Sequence, residues 1–379
     1  AWVPRLPYVV RELIKLKGKT GMGLQLILTD AELPASPSYI EFLHATLKKE
    51  PYYVGEWYKQ DGEGMMSDGA RFADIGRKAH EVASDPKGKE YLLRSYRFFK
   101  ELLTGDIKHI REIARFRFFF VIGIPRTGGT YLTKQLFLAS GIDYTKVQNA
   151  IAHDGFPHLA HLSFKTKGNI HTNSLLQLAE YLTMVEIYFG EHGRRAYKGG
   201  IIVPKKFTKS IYYFDLVREL FGRNAEYIMT IRHPLSICKS ILDKSGGMPS
   251  NGKFALRSAI ERWTLDDWLH WGVSEQEIKQ MDYVKCFLGY WKRFHFQMAL
   301  AGIPAMPTAR IVPFGKEHMT KFVNGLFDEF GVDVLPEPFK ASERPKFSAE
   351  DESAAEAVVG EVASFWKSLG LKFPVEELL

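Results

Sequence analysis

The sequence has little cysteine and no long apolar run. Only two cysteines, Cys238 and Cys286, occur in 379 residues, too few for a disulfide framework or a cysteine-ligated zinc cluster. No apolar stretch reaches the roughly 18 to 20 residues that a membrane-spanning helix requires. We therefore expect a protein of a reducing compartment, the cytoplasm, without a transmembrane segment.

A concentrated basic patch is absent as well. Lysine and arginine number 51 against 44 aspartate and glutamate residues, a net charge of +7, but they are scattered and form no nucleic-acid signature. Neither HExxH nor any other His, Asp and Glu spacing of a metal site occurs. The sequence thus predicts no nucleic-acid partner and no metal. The positive excess suits an anionic ligand, but it is equally common on proteins that bind none.

Two kinds of pattern divide the chain. Residues 1–115 are mainly helical in pattern, whereas in residues 116–379 apolar strands alternate with amphipathic helices. This alternation is typical of an α/β domain with a central, mostly parallel sheet flanked by helices. The segments that match buried strands are FFFVIGI (118–124), AEYIMTI (225–231) and ARIVPF (309–314), and KSIYYFDLVRELFG (209–222) matches a helix.

A glycine-rich turn follows the first of these strands. The segment GIPRTGGT, residues 123–130, nearly matches the phosphate loop GxxxxGK[ST], but Gly129 stands where the lysine belongs. A strand that runs through a glycine turn into a helix directs several backbone N–H groups and the positive helix end at one point. Arg126 adds a permanently charged guanidinium, and Thr127 and Thr130 add hydroxyl donors. The segment predicts an anion-binding loop.

A second motif, TIRHPLSICKS at residues 230–240, ends the next predicted strand. Arg232 closes that strand, Pro234 opens a helix at a position where a missing N–H costs nothing, and Ser240 follows two turns later. An arginine and a serine at these positions could both bind the same phosphate, one from each side. Alone, the pair is more often a plain strand-to-helix corner, but together with the loop it indicates a phosphate site.

Together, the two motifs resemble the paired signatures of sulfotransferases that use 3′-phosphoadenosine 5′-phosphosulfate (PAPS). The resemblance spans residues 118–365 and is greatest to the branch with arginine in the first motif, which holds bacterial, tyrosylprotein and some carbohydrate sulfotransferases. It implies a P-loop-like three-layer fold, PAPS as donor, 3′-phosphoadenosine 5′-phosphate (PAP) as product, and no metal. Around the 5′ end of the donor it places Arg126, Thr127, Gly128, Gly129, Thr130 and Tyr131.

The resemblance assigns roles to other residues too. It implies that Arg232 and Ser240 take the 3′-phosphate and that Lys198, in AYKGG, lies near the transferring sulfuryl group. Two positions depart from the family pattern: His233 replaces an acidic residue or asparagine, and Gly129 replaces a common threonine. Neither departure removes a charged contact, so the assignment stands.

Two further segments are weaker candidates. Arg344 and Lys346, in a basic loop before the last helix, close over the 3′-phosphate side by the same resemblance, and a solvated loop is an equal alternative. An aromatic loop in the N-terminal region is a candidate for part of the acceptor pocket, since aromatic rings suit a sugar, a sterol or a phenol. A small aromatic core is the alternative. The residues of this loop are Tyr52, Tyr53, Trp57 and Tyr58.

Transfer to a hydroxyl group requires a general base. Relatives carry a Glu or His some 20 to 30 residues beyond the loop, and the candidates here are His153, Asp154, His158 and His161. We favour His153, with an ordinary structural role as the alternative. Glu180 and Glu186 lie on a predicted helix, where we expect a solvated or capping role.

The predicted function is in-line transfer of a sulfuryl group from PAPS to a hydroxyl of a small-molecule, lipid or saccharide acceptor. Arg126 and Lys198 would replace the lysine and metal of a triphosphatase, because charge gathers on the bridging oxygen as its bond to sulfur breaks. Two alternatives remain at this point: a P-loop-type kinase or other nucleotide-binding enzyme, and a catalytically silent nucleotide-binding scaffold.

Overall fold

The structure is a computed structural model that describes residues 27–28, 33–50, 69–144, 151–152, 154, 172–340 and 347–378. The chain divides into two units. The first comprises residues 1–113, 143–161 and 170–192, and the second comprises residues 114–142, 162–169 and 193–379. The first boundary lies two residues before the expected one at 115. The first unit also takes in two later segments that the sequence pattern assigned to the α/β domain.

The secondary structure follows the expected change from helices to alternating strands and helices. In chain order the described elements are β1 (Ile27–Leu28), β2 (Pro34–Ala35), α1 (Pro37–Lys48), α2 (Gly69–Ser84), α3 (Pro86–Thr104), β3 (Phe116–Ile122), α4 (Gly129–Ser140), α5 (Thr172–His192), β4 (Ala196–Tyr197), β5 (Gly200–Lys206), α6 (Phe214–Phe221), β6 (Ala225–Ile231), α7 (Pro234–Lys244), α8 (Arg262–His270), α9 (Glu275–Gln280), α10 (Tyr283–Leu300), β7 (Ala309–Pro313), α11 (Lys316–Phe330) and α12 (Ala349–Ser368). Short 3₁₀ helices cover Ile110–Arg115, Thr208–Tyr213, Gly222–Asn224 and Ile303–Ala305.

Helix α5 belongs to the first unit because it packs against α3. Arg94 of α3 pairs with Glu186 of α5 at 3.1 Å. Glu180, also on α5, is fully buried, and its carboxylate accepts hydrogen bonds from the backbone N–H and the hydroxyl of Ser36, both at 2.6 Å. Ser36 is the N-cap of α1. Glu180 is therefore not solvated as expected, and instead of capping a helix itself it holds the residue that caps α1.

The second unit is built on a five-stranded sheet with the order β4-β5-β3-β6-β7. Strands β5, β3, β6 and β7 are parallel, and only the two-residue β4 runs antiparallel. The predicted α/β class with a central, mostly parallel sheet flanked by helices is confirmed. Strand β5 was not among the segments that matched buried strands, and it runs from Gly200 through Pro204 to Lys206.

Strand β3 is buried on both faces of the sheet, as its unbroken apolar sequence predicts. Phe119 and Val121 point to one face and pack in a cluster with residues of α4 and α11. Phe118 and Phe120 point to the other face, where their rings lie 4.6 and 4.9 Å from the ring of Phe221 in α6. Burying each such ring stabilises the fold by about 1.5 to 3 kcal/mol.

The predicted helix at 209–222 is divided in the structure. Its first part is the 3₁₀ helix Thr208–Tyr213, and α6 begins only at Phe214. The last helix, α12, begins after Ser348, whose hydroxyl caps it by accepting from the N–H of Asp351 at 3.1 Å. In the part of the chain that the structure describes, no helix has both the length and the apolar character needed to cross a membrane.

Candidate anion-binding site

The carboxyl ends of four parallel strands lie along one edge of the sheet. In the register, Val121 of β3 is opposite Lys206 of β5, and Ile231 of β6 is opposite Pro313 of β7. In open α/β sheets, ligands bind at this edge. The residues that follow the four strands are Gly123, Phe207, Arg232 and Phe314.

The glycine loop that follows β3 is fixed by close contacts. A Cβ atom on Gly123 would lie 2.0 Å from the hydroxyl oxygen and 2.7 Å from the carbonyl oxygen of Thr230, so only glycine fits there. The hydroxyl of Thr208 donates to the carbonyl of Gly123 at 2.8 Å. Gly128 has φ of 88°, in the left-handed region that favours glycine, and it is the N-cap of α4. Three strand ends thus hold the loop in one shape.

Thr127 stabilises the loop from inside. Its side chain is buried, with 1% exposed, and its hydroxyl donates to the carbonyl of Ile124 at 2.8 Å. The same oxygen lies 2.6 Å from the hydroxyl of Thr230. The hydroxyl of Thr127 is thus engaged within the protein, and a contact of Thr127 with the ligand stays a prediction.

Arg126 and Ser240, 114 residues apart in sequence, are in direct contact. The Nε of Arg126 donates to the hydroxyl oxygen of Ser240 at 2.8 Å, and Nη1 of Arg232 donates to the carbonyl oxygen of Arg126 at 2.8 Å. Arg126 itself has φ of 80°, a conformation that costs a non-glycine residue on the order of 1 to 2 kcal/mol. The fold therefore brings the two predicted motifs together, and Arg232 supports the unusual backbone of the loop.

Arg232 presents a buried positive charge to this loop. Its side chain is largely buried, and the central carbon of its guanidinium lies 3.9 Å from the ring centre of Phe314. Burial and the neighbouring charge of Arg126 lower the pKa of Arg232 to about 10. An anion bound between the two arginines would offset both effects, because an opposite charge favours the charged form.

Lys206 lies beside the glycine loop, and the sequence analysis did not single it out. It is the last residue of β5 and is buried. A Cβ atom on Gly129 would lie 3.2 Å from its Cε, so the lysine side chain passes the first residue of α4. A lysine of a neighbouring strand thus lies beside the loop that lacks its own lysine. The available signal was the pair of lysines that directly follows the apolar run IIVP.

Lys198 lies at the opposite edge of the sheet. It is in the turn before β5, and its Nζ donates to Glu226, the second residue of β6, at 2.9 Å. The hydrogen bond with Glu226 raises the pKa of Lys198. Because a seven-residue strand spans about 20 Å, Lys198 is far from the loop at the carboxyl edge. The structure therefore does not bring Lys198 together with the loop, and its role beside the transferring group stays a prediction.

The first turn of α4 contains the remaining loop residues. Gly129 begins the helix, and Thr130 is exposed. The first N–H groups of a helix have no partner within it, so they are available to an anion. Tyr131 donates its hydroxyl to the carbonyl of Glu337 at 2.8 Å, and its ring packs on Phe339 with 4.8 Å between centres. The side chain of Tyr131 thus holds the 337–339 segment.

The candidates for the general base remain predictions. Asp154 is buried in the first unit. Burial of Tyr144, together with the negative charge of Asp154, raises the pKa of Tyr144 to about 12. Across the described ranges, no group of three or more His, Cys, Asp and Glu side chains is placed to hold a metal ion. The candidates outside the described residues are His153, His158, His161, Arg344, Lys346 and the aromatic loop at 52–58.

Comparison with known proteins gives a faint structural likeness. No family model matches the sequence, and no curated protein matches it. Among solved structures, the chain is similar to the sulfotransferase STF1 from Mycobacterium tuberculosis, with 15% identity, a TM-score of 0.38, and coverage of 96% of this chain and 99% of that one. It is also similar to the sulfotransferase domain from the curacin biosynthetic pathway, with 15% identity, a TM-score of 0.32, and coverage of 69% and 93%. Likeness at this level carries no argument about activity.

Proposed function

We propose that the protein is a sulfotransferase that moves a sulfuryl group from PAPS to a hydroxyl group of an acceptor. The observation that carries this proposal is the contact of Arg126 with both Ser240 and Arg232, beside a glycine loop that lacks its own lysine. Two cations and a hydroxyl at the carboxyl edge of the sheet suit a ligand with more than one anionic group.

The site divides into two ends that match the two anionic ends of PAPS. Arg232 and Ser240 would bind the 3′-phosphate. The N–H groups at the start of α4, from Gly129 to Tyr131, would face the 5′-phosphosulfate, because helix N-termini bind anions through their N–H groups and dipole. Lys206, which passes Gly129, would add a positive charge at this second end.

The reaction requires no chemistry beyond these groups and a base. The bond between sulfur and the bridging oxygen of the donor breaks, and sulfur forms a bond to the acceptor oxygen on the opposite side. The hydroxyl proton passes to a base, for which His153 and Asp154 are our candidates. Negative charge gathers on the bridging oxygen, where Lys206 and the N–H groups of α4 would stabilise it. The acceptor class remains an alcohol or phenol of a small molecule, lipid or saccharide.

Binding of PAP tests the donor class directly. Isothermal titration calorimetry would compare PAP with ATP plus Mg²⁺, and we expect micromolar or tighter binding of PAP and at least tenfold weaker binding of ATP. A preference for ATP with Mg²⁺ would instead establish a kinase-like protein. A panel of hydroxylated acceptors with radiolabelled PAPS then tests transfer, and binding of PAP without any transfer would favour the silent scaffold.

A further inference from the structure

We propose that the outward face of helix α3 binds an anionic lipid surface. This inference goes beyond the proposed function and does not depend on it, because binding to lipid requires neither a sulfuryl donor nor an acceptor. The residues that carry it are those that the first unit leaves exposed along this one helix.

Helix α3 has one face in the core of the first unit and one in solvent. Leu92 and Phe98 are buried, and the helix packs against α1, α2 and α5. On the other side, Leu93, Tyr96 and Leu103 are 47%, 37% and 50% exposed. Of the nine large apolar residues that are exposed in the described part of the chain, three therefore lie on this one helix. Single exposed apolar residues are ordinary, but a group of them on one face marks a site of interaction.

Three cations lie among these apolar residues. Lys89, Arg97 and Lys100 are exposed, and at 3.6 residues per turn they fall with the three apolar residues within about a third of the helix circumference. None of the three pairs with a carboxylate of a described residue, whereas the neighbouring Arg94 pairs with Glu186. Together they form a patch about 20 Å long. The residues of this α3 patch are Lys89, Leu93, Tyr96, Arg97, Lys100 and Leu103.

The two glutamates of α3 lie outside this patch. Glu101 is buried, and its carboxylate accepts from the backbone N–H groups of His109 and Ile110, each at 3.0 Å. Glu90 lies beyond the edge of the patch by its position on the helix. The α3 patch therefore combines apolar side chains with positive charge and contains no negative side chain.

An anionic membrane surface matches both features of the patch. Leucine and tyrosine side chains enter the headgroup region, while lysine and arginine lay their apolar stems along it and extend their charged ends to the lipid phosphates. Anionic lipids attract such cations near the membrane. A second copy of the chain matches less well, because a two-fold interface would bring the three cations of each copy together.

Vesicle sedimentation with the full chain tests the proposal. We would compare vesicles of phosphatidylcholine alone with vesicles that contain about one third phosphatidylserine. We expect binding to the anionic vesicles, about tenfold weaker binding to the neutral ones, and loss of binding in concentrated salt, which screens exposed charges. The double variant Lys89→Gln, Lys100→Gln should bind the anionic vesicles about 25-fold more weakly, since each cation near such a surface contributes about fivefold. Leu93→Gln with Leu103→Gln should weaken binding about tenfold.

Matched variants of the second unit separate this face from general charge and apolar exposure. Lys279→Gln with Lys285→Gln removes the same number of charges from exposed lysines. Leu335→Gln replaces a leucine that is 87% exposed, more than any apolar residue of the patch. Both should bind the anionic vesicles as the wild type does. All substituted side chains are exposed, and circular dichroism checks that the variants fold.

Three results would overturn the proposal. The wild-type chain could leave the anionic vesicles unbound, it could bind the neutral vesicles equally well, or the α3 variants could bind as tightly as the controls. Sedimentation velocity without lipid covers the other occupant, because dimers that Leu93→Gln with Leu103→Gln disperses would assign the face to a second copy instead. None of these results bears on the affinity for PAP, so the proposed function is decided separately.

Discussion

The guanidinium of Arg232 is stacked on the ring of Phe314, 3.9 Å from the ring centre. Phe314 follows β7, and its own ring packs on Phe339 with 5.2 Å between centres. Phe339 in turn contacts Tyr131 of α4. These three packed aromatic rings hold the buried guanidinium of Arg232 at the carboxyl edge of the sheet. The rings come from three segments that lie far apart in sequence.

Replacing Phe314 should leave the side chain of Arg232 less firmly held, because the ring of Phe314 packs against its guanidinium. Phe314→Leu keeps an apolar side chain but removes the ring face, and a cation–π contact contributes about 0.5 to 2 kcal/mol. We expect a three- to tenfold weaker affinity for PAP, measured by calorimetry, and little change for adenosine 5′-phosphate. Phe314→Tyr retains the ring and should bind as the wild type does. Equal loss of both ligands in Phe314→Leu would indicate general damage to the fold rather than a role for this contact.

Lys206 and Lys198 form a matched pair of lysines at opposite edges of the sheet. We expect Lys206→Met to lower the rate of sulfuryl transfer about 10²- to 10³-fold, as for loss of a group that stabilises developing charge. Lys198→Met removes the ion pair with Glu226 and the contact with the ring of Tyr197, and it should retain the wild-type rate. Single-turnover transfer from radiolabelled PAPS measures both. Equal rates for Lys206→Met and the wild type would remove Lys206 from the proposed mechanism.

Gly123 should tolerate no side chain. In Gly123→Ala the new methyl group would meet the hydroxyl of Thr230 at 2.0 Å, and we expect a loss of stability of about 1 to 3 kcal/mol in urea unfolding. Adding Thr230→Ala should restore only part of it, because the carbonyl oxygen of Thr230 remains 2.7 Å away. The control is Gly325→Ala in α11, where no atom lies within 4 Å and alanine should stabilise the helix by about 0.5 to 1 kcal/mol. A destabilisation no larger than that of other loop substitutions would contradict the close packing of Gly123.

The buried carboxyl of Glu180 should make stability depend on pH. Burial raises its pKa from 4.5 to about 8, so between these values the folded protein keeps a proton that the unfolded chain has released. Stability therefore falls as pH rises through this window, by up to about 1.4 kcal/mol per pH unit, and this contribution is constant below and above it.

The comparison with Glu180→Gln isolates that contribution. The amide is neutral at every pH, so the variant should lose the part of the slope between pH 4.5 and 8 that comes from this residue. Urea unfolding at a series of pH values, followed by circular dichroism, measures the slope in both proteins. Parallel curves for the two proteins would show that Glu180 titrates in the folded state as it does in the unfolded chain.

Much of this molecule follows from local sequence. The unbroken apolar run of β3 predicts a strand buried on both faces, the glycine frame at 123–130 predicts a turn into a helix, and Ser348 before three acidic residues predicts the start of α12. These features depend on interactions between residues that are close along the chain, so a pattern in the sequence contains them.

The position of each charge in the site was decided by tertiary structure. The same lysine-bearing region supplies Lys198 at one edge of the sheet and Lys206 at the other, and only the register of β5 against β3 tells them apart. Whether Thr127 faces a ligand or Thr230, and whether Arg126 reaches Ser240, likewise depends on contacts across more than 100 residues. Sequence periodicity reports which residues are buried and in what element. It holds no information on which distant partner each side chain meets, because strand pairing and helix packing fix those contacts.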